Sequence, residues 1–260
     1  MTSLRFAIIA AVVLGAAPAG AVNVTDMVLV AGPRPFYIDI FEMGCTQANA
    51  AAAGSCGIGE TWKPARMDYA HATAVCANLG KRMPTLEEWR LAGSNLGRNR
   101  NYTLVGDSLY DNGTLKAYIR GSASIAPTDW ARLGIDAIGT VGMTGNRYEW
   151  VSNGRASAMC GGQYETQADA DVQLSNICRT DPATFAGSAT VRCVLDFSPG
   201  VRVEFSSNVG GRLKDYIVSL DQTVAFQYSN FDEIFIGRNR YTTGRRRPLA
   251  PPEPNYDEEY

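Results

Sequence analysis

The chain has a single histidine, His71, in 260 residues. A Ser-His-Asp hydrolase would hang entirely on that side chain, and no G-x-S-x-G elbow is present to support one. A site built from several histidines is excluded outright. His71 falls within a helical pattern, where a lone histidine is far more often a surface or packing residue than a ligand. Excess charge of one sign is also lacking. The net charge is -2, which gives no electrostatic argument for nucleic acid. The basic cluster Arg245–Arg247 is local and is followed by Asp257, Glu258 and Glu259. Beyond Ala17 no apolar run reaches the roughly eighteen residues of a membrane span, so the mature chain is expected to have none. No internal repeat is visible. Paired carboxylates such as Glu87 and Glu88 are helix neighbours that point in different directions and do not converge. Gly161-Gly162 is too short for a phosphate cradle, and Gly237-Arg-Asn-Arg-Tyr241 is only a basic turn.

At the N-terminus, Arg5 precedes an apolar run from Phe6 to Ala17, and Ala19-Gly20-Ala21 offers small residues before Val22. This reads as a cleaved secretory signal over residues 1–21, so the protein is expected to be exported to the periplasm, the cell surface or the medium. No cysteine stands at the cleavage point, which argues against a lipid anchor. Six cysteines in an exported chain suggest three disulfides, and six allow fifteen connectivities. Cys45 and Cys56 bracket an Ala- and Gly-rich loop over Ala48–Gly59, and proximity favours pairing them.

The most informative stretch is Cys76-Ala-Asn-Leu-Gly-Lys-Arg-Met-Pro-Thr-Leu-Glu-Glu-Trp89. Asp68 can cap a helix on which Ala72, Val75, Cys76 and Leu79 share a face, and Gly80 suits the left-handed residue that ends it. Thr85 and Glu88 form a capping box for a second helix over Leu86–Ala92. Strands are expected at Met27–Val30, Phe36–Met43, Tyr148–Val151, Gly161–Tyr164 and Thr190–Leu195, with a long irregular region over residues 93–140.

The pattern Cys-x-x-x-Gly-Lys-Arg-Met-Pro-Thr-x-x-Glu-Trp resembles the signature of the formylglycine-generating-enzyme, or sulfatase-modifying factor, family. Four further pieces stand in the family's order: Phe36–Met43 for the opening strand, Gly145-Asn-Arg-Tyr-Glu-Trp150, Cys160-Gly-Gly-Gln-Tyr164, and Val191-Arg-Cys193 closing. The resemblance covers roughly residues 30–195. It implies an α+β, loop-rich variant of the C-type lectin-like fold, and a disulfide between Cys76 and Cys193. Cys160 and Cys178 are then paired by order and family position. Trp89 and Trp150 lie inside family motifs and are expected in the core, while Trp62 and Trp130 are undecided between core and a carbohydrate site.

The same resemblance tests the chemistry. Formylglycine-generating enzymes oxidise a substrate cysteine with copper held by two cysteines, five residues apart. Here those positions fall at Thr166 and near Asp171, neither of which is Cys, and Cys160 and Cys178 are eighteen residues apart. Soft thiolates suit cuprous copper and oxygens do not. A second branch of the family holds iron on several histidines, which this chain lacks. Family members also bind calcium near the G-N-x-x-E-W loop, making Gly145, Asn146, Arg147 and Glu149 the candidate metal residues. Gly142 stands where Asp or Asn is expected, which removes one ligand. The alternative is that Glu149 pairs with Arg147 or Arg192.

Past Asp196 the resemblance ends. Val201–Phe205, Tyr216–Leu220, Val224–Tyr228 and Glu233–Ile236 read as strands, and Pro248, Pro251, Pro252 and Pro254 mark a tail that cannot be helical. The expected organisation is a signal over 1–21, a domain over 22–195, a β-rich extension over 196–242 and a Pro-rich flexible tail over 243–260. The expected role is a non-catalytic binding or assembly module of a bacterial envelope or an assembled surface. Its partner would be a protein, with carbohydrate the secondary class. The rivals are a cysteine-directed oxidase and a receptor-binding virion protein.

Overall fold

A computed structural model of the chain describes residues 23–45, 56–57, 64–117, 119, 134–154, 156–180, 189–198, 201–206, 209, 211–227, 233–236 and 239–242. The signal segment, most of the Ala48–Gly59 loop, Trp62, Trp130, Tyr228 and the tail from residue 243 lie outside the described residues. In chain order the first half contains β1 (Asn23–Thr25), β2 (Met27–Val30), β3 (Phe36–Asp39), β4 (Gly44–Cys45), β5 (Cys56–Gly57), α1 (Tyr69–Asn78) and α2 (Leu86–Gly93). There follow β6 (Tyr110–Asp111), β7 (Thr114–Leu115), β8 (Glu149–Asn153), β9 (Ala156–Cys160), β10 (Val194–Asp196) and β11 (Arg202–Glu204). The chain then forms α3 (Gly211–Gln227), β12 (Glu233–Ile236) and β13 (Asn239–Thr242). The architecture is α+β and rich in loops.

Both expected helices form where their caps stand. The Asp68 carboxylate accepts from the His71 backbone N–H at 2.8 Å and opens α1, which Gly80 follows at φ +69°. His71 is exposed beside that cap, as expected of a surface residue. Thr85 and Glu88 exchange side-chain and backbone hydrogen bonds at 3.1 and 2.8 Å and open α2. Helix α2 buries Leu86, Trp89 and Ala92 against the main core, which also takes Phe36 and Ile38 of β3. Helix α1 buries Ala72, Val75 and Cys76 in a second cluster with Trp150, Met159 and Cys193.

The sheets are small. Strand β3 lies between β2 and β10, antiparallel to both, and β8 pairs antiparallel with β9. Residues 82–85 stitch the two together: Arg82 bridges Val194 of β10 and Thr85 bridges Ser152 of β8. Strand β3 stops at Asp39 rather than running to Met43. The Asp39 carbonyl accepts from the Arg192 guanidinium, and the Ile40 carbonyl from that guanidinium and from the Val141 N–H at 2.8 Å. The strand expected at Gly161–Tyr164 lies earlier, at β9, because Gly161 and Gly162 adopt φ +102° and +76° and break the extended run. At the closing end, β10 covers only Val194–Asp196. Within the irregular region, Tyr110-Asp-Asn-Gly-Thr-Leu115 forms the β6–β7 hairpin, with Asn112 and Gly113 both at positive φ. Asn-Gly is the sequence mark of that turn.

The C-terminal addition corrects the expectation most. Tyr216–Leu220 and Val224–Tyr228 were expected as strands, yet residues 211–227 form the helix α3. Leu213, Ile217 and Leu220 recur at helical spacing, which five-residue windows read as alternation. Leu213 and Ile217 are buried, and Ile217 packs so closely on Gly139 that a Cβ there would stand 2.8 Å from its Cγ1. The Tyr216 hydroxyl donates to the Ala137 carbonyl at 2.8 Å. Strand β11 joins the N-terminus rather than the central sheet, pairing in parallel with β1 so that Asn23 faces Arg202. The Asp26 carboxylate accepts from the Ser206 backbone N–H at 2.7 Å and from its hydroxyl. Val24, Val201 and Val203 are buried together with Tyr37, so the addition is packed onto the domain.

Candidate functional site

Strand β8 carries Glu149 into the interior, and the closing segment carries Arg192 to meet it. Both are fully buried. Glu149 Oε1 receives Arg192 Nη2–H at 2.7 Å and Nε–H at 3.1 Å, while Oε2 receives Trp89 Nε1–H at 2.6 Å. The remaining Arg192 donors go to the carbonyls of Asp39, Ile40 and Val141. Burial works against the Arg192 charge, but the Glu149 carboxylate outweighs it and the guanidinium is held above its ordinary value. One ion pair therefore ties β3, the 141 turn, β8 and α2 to the closing segment.

Around this pair stand other buried acids. Glu42 Oε2 accepts from Asn146 Nδ2 at 2.5 Å, and Glu42 Oε1 has no hydrogen-bond partner among the described residues. Burial, aided by the neighbouring Glu149 charge, pushes the Glu42 carboxyl well above the usual carboxylate range. Asp39 is also raised by burial, although Lys81 forms an ion pair with it. Asp136 accepts from the Thr103 hydroxyl, from the Thr140 hydroxyl at 3.1 Å and from the Met143 N–H at 3.1 Å, and burial pushes it up to about 6. Arg147 is 5% exposed, and burial pulls its guanidinium down to about 10. The buried carboxylates Asp39, Glu42 and Asp136 were missed as a group from the sequence. They are far apart in the chain, and nothing in their spacing announces that they share one interior.

The calcium residues do not make a calcium site together. Both Glu149 oxygens are committed to Arg192 and Trp89, and a guanidinium beside them repels a dication. Gly142 offers no side-chain oxygen, and the Asn146 amide N–H₂ points at Glu42. Calcium needs six to eight oxygens, and this donor set does not fit it. Of the two alternatives weighed for Glu149, its partner is Arg192 and not Arg147.

Thr166 and Asp171 stand where the family resemblance sets the copper cysteines. Thr166 is buried, and its hydroxyl oxygen accepts from the Gln163 N–H at 3.1 Å. Asp171 lies exposed in a 3-10 turn over Asp169–Val172. A hydroxyl and an aqueous carboxylate are hard oxygen donors and do not fit cuprous copper. Cys76 is bridged to Cys193, and Cys160 to Cys178, so these four offer no thiolate. Cys45 stands directly opposite Cys56 in the β4–β5 pair. Among the described residues no group of three or more His, Cys, Asp and Glu side chains converges as a metal site. Trp89 and Trp150 are both core residues.

No curated protein matches the sequence. Among solved structures, PvdO from Pseudomonas aeruginosa is similar at 17% identity and a TM-score of 0.43, over 65% of this chain and 83% of that one. The Major Tropism Determinant U1 variant is similar at 17% identity and a TM-score of 0.41, over 66% of this chain and 52% of that one. The family model for the sulfatase-modifying factor enzyme 1-like domain matches residues 38–197, more than half of the chain. That span runs from β3 through the Cys76–Cys193 and Cys160–Cys178 bridges to just past β10. The chain belongs to the sulfatase-modifying factor enzyme 1-like domain family.

Proposed function

We propose that the protein is an exported, disulfide-stabilised, non-catalytic binding or assembly module that keeps its family's scaffold without the oxidase chemistry. The observation that carries this reading is the pair Thr166 and Asp171 at the positions of the copper cysteines. An oxidase of this type needs two soft ligands and an open coordination position, and here one residue is a buried hydroxyl and the other a solvated carboxylate. The buried acids support a scaffold role as well, because Glu149 and Asp136 are enclosed by protein donors. The two bridges in the domain suit an oxidising compartment. Among the described residues no helix is long and apolar enough to cross a membrane.

The test is direct. The purified chain, supplied with cuprous copper and a cysteine peptide, is expected to produce no formylglycine above a no-enzyme control. Turnover that disappears on chelation would overturn the reading. Cross-linking in the source cell, followed by mass spectrometry, is expected to recover a defined protein neighbour.

A further inference from the structure

We infer that the protein carries a groove that takes the carboxyl-terminal end of a short peptide. This deepens the binding role proposed above and rests on it. The groove opens where the turn before β3, residues 82–88 and the end of β10 meet, and its volume is about 670 Å³. That is within the range of ligand sites and larger than one amino acid needs.

The floor is pre-formed. Residues 82–85 are fixed between β10 and β8 by backbone bonds, Arg82 N–H to Val194 O at 2.8 Å and Ser152 N–H to Pro84 O at 2.9 Å. Arg82 itself is fully spent: its guanidinium donates to both oxygens of Glu88, to Asp196 Oδ1 and to the Met83 carbonyl. Glu88 and Asp196 hold it above its ordinary pKa, with the Glu88 hydrogen bond the larger cause. It is a strut, not a ligand-binding group.

Three groups remain unspent. Arg34 is exposed on the groove wall and has no ion pair or hydrogen bond among the described residues. Asp196 keeps Oδ2 open to the outside while Arg82 occupies Oδ1. The Phe197 ring lines the same groove, stacked on Tyr37 with centroids 5.9 Å apart, and Met83 adds apolar lining. Asp196 is the register partner of Phe36, and the Phe197 N–H donates to Pro35 O at 3.2 Å. That register places the Cα atoms of Arg34 and Asp196 about two to three extended residues apart.

A cation, an apolar plate and an acceptor at that spacing match a peptide end. The terminal carboxylate would lie on the Arg34 fork, the last side chain on Phe197 and Met83, and an upstream N–H or ammonium on Asp196.

Calorimetry with the full chain tests this, using the tripeptide Ala-Leu-Phe and its carboxyl-terminal amide. The acid is expected to bind, and the amide to bind about tenfold more weakly or worse, the scale of a lost charge-assisted hydrogen bond. Arg34→Gln should produce the same loss with an unchanged melting temperature, since Arg34 is exposed. Retained binding of the N-acetylated acid would assign the groove to the end of a partner protein, and loss on acetylation would assign it to free oligopeptides. No binding of the acid, equal binding of acid and amide, or an unaffected Arg34→Gln variant would overturn the inference. Capture of a native partner at full strength by Arg34→Gln would remove this groove while leaving the broader binding role intact.

Discussion

Arg192 distributes its N–H groups over Glu149 and three backbone carbonyls, all inside the protein. Removing one partner of a buried pair leaves an uncompensated charge, which costs far more than the pair itself contributes. Arg192→Met is therefore expected to lose about 3–5 kcal/mol in urea unfolding, and the double variant with Glu149→Met should recover part of that. A single variant within measurement error of wild type would refute this account. Asp136 gives a pH signature. Its carboxyl is raised to about 6 in the folded protein from the ordinary value of 3.8, so folding favours the protonated form. The stability it contributes is fully present below about 4 and is lost as pH rises through about 6. Wild type should thus gain stability relative to Asp136→Asn as pH falls from 7 to 4, by up to about 3 kcal/mol. Unfolding curves at several pH values check this, and parallel profiles would sink it.

At the scale of elements, α3 is where sequence windows and structure diverge. If residues 211–227 are helical, Ser219→Pro in the exposed interior removes an intrahelical hydrogen bond and clashes with the preceding turn, costing about 3 kcal/mol. Ser219→Ala should be nearly neutral or slightly stabilising. The same substitutions in a pair of short strands would not produce that contrast. The seat of the helix is equally testable. Gly139 adopts φ +91°, and a Cβ there would meet Ile217 at 2.8 Å. Gly139→Ala combines backbone strain with a clash and is expected to cost about 1–3 kcal/mol, read from the denaturation midpoint. The capped helices α1 and α2, by contrast, were legible residue by residue. Their start signals are local, and the side chains that cap them are the ones that the sequence names.

At the scale of the whole molecule, the bridges Cys76–Cys193 and Cys160–Cys178 differ in reach. Cys76–Cys193 closes a separation of 117 residues and Cys160–Cys178 one of 18. In the chain-entropy model the first contributes about 4–5 kcal/mol and the second about 3. Replacing each pair by Ala should follow that order in chemical denaturation, and the reverse order would contradict it. The addition after β10 belongs to the same unit, since β11 pairs with β1 and α3 packs on Gly139. Ending the chain after Asp196 should expose Val24, Tyr37 and Gly139 and lower the melting temperature markedly. Ending it after Gly244 should leave stability nearly unchanged.

The sequence by itself determined what depends on local or ordered signals. These are the two caps and the family to which residues 38–197 belong. The tertiary structure alone decided which charges share the interior. Glu149 was an equal candidate for calcium, Arg147 or Arg192 until long-range packing placed the Arg192 guanidinium against both of its oxygens. It likewise decided the helical state of residues 211–227, and it joined β1 to β11 across the chain. Those choices turn on desolvation and on contacts between distant segments. A short window of sequence holds only one side of each such contact.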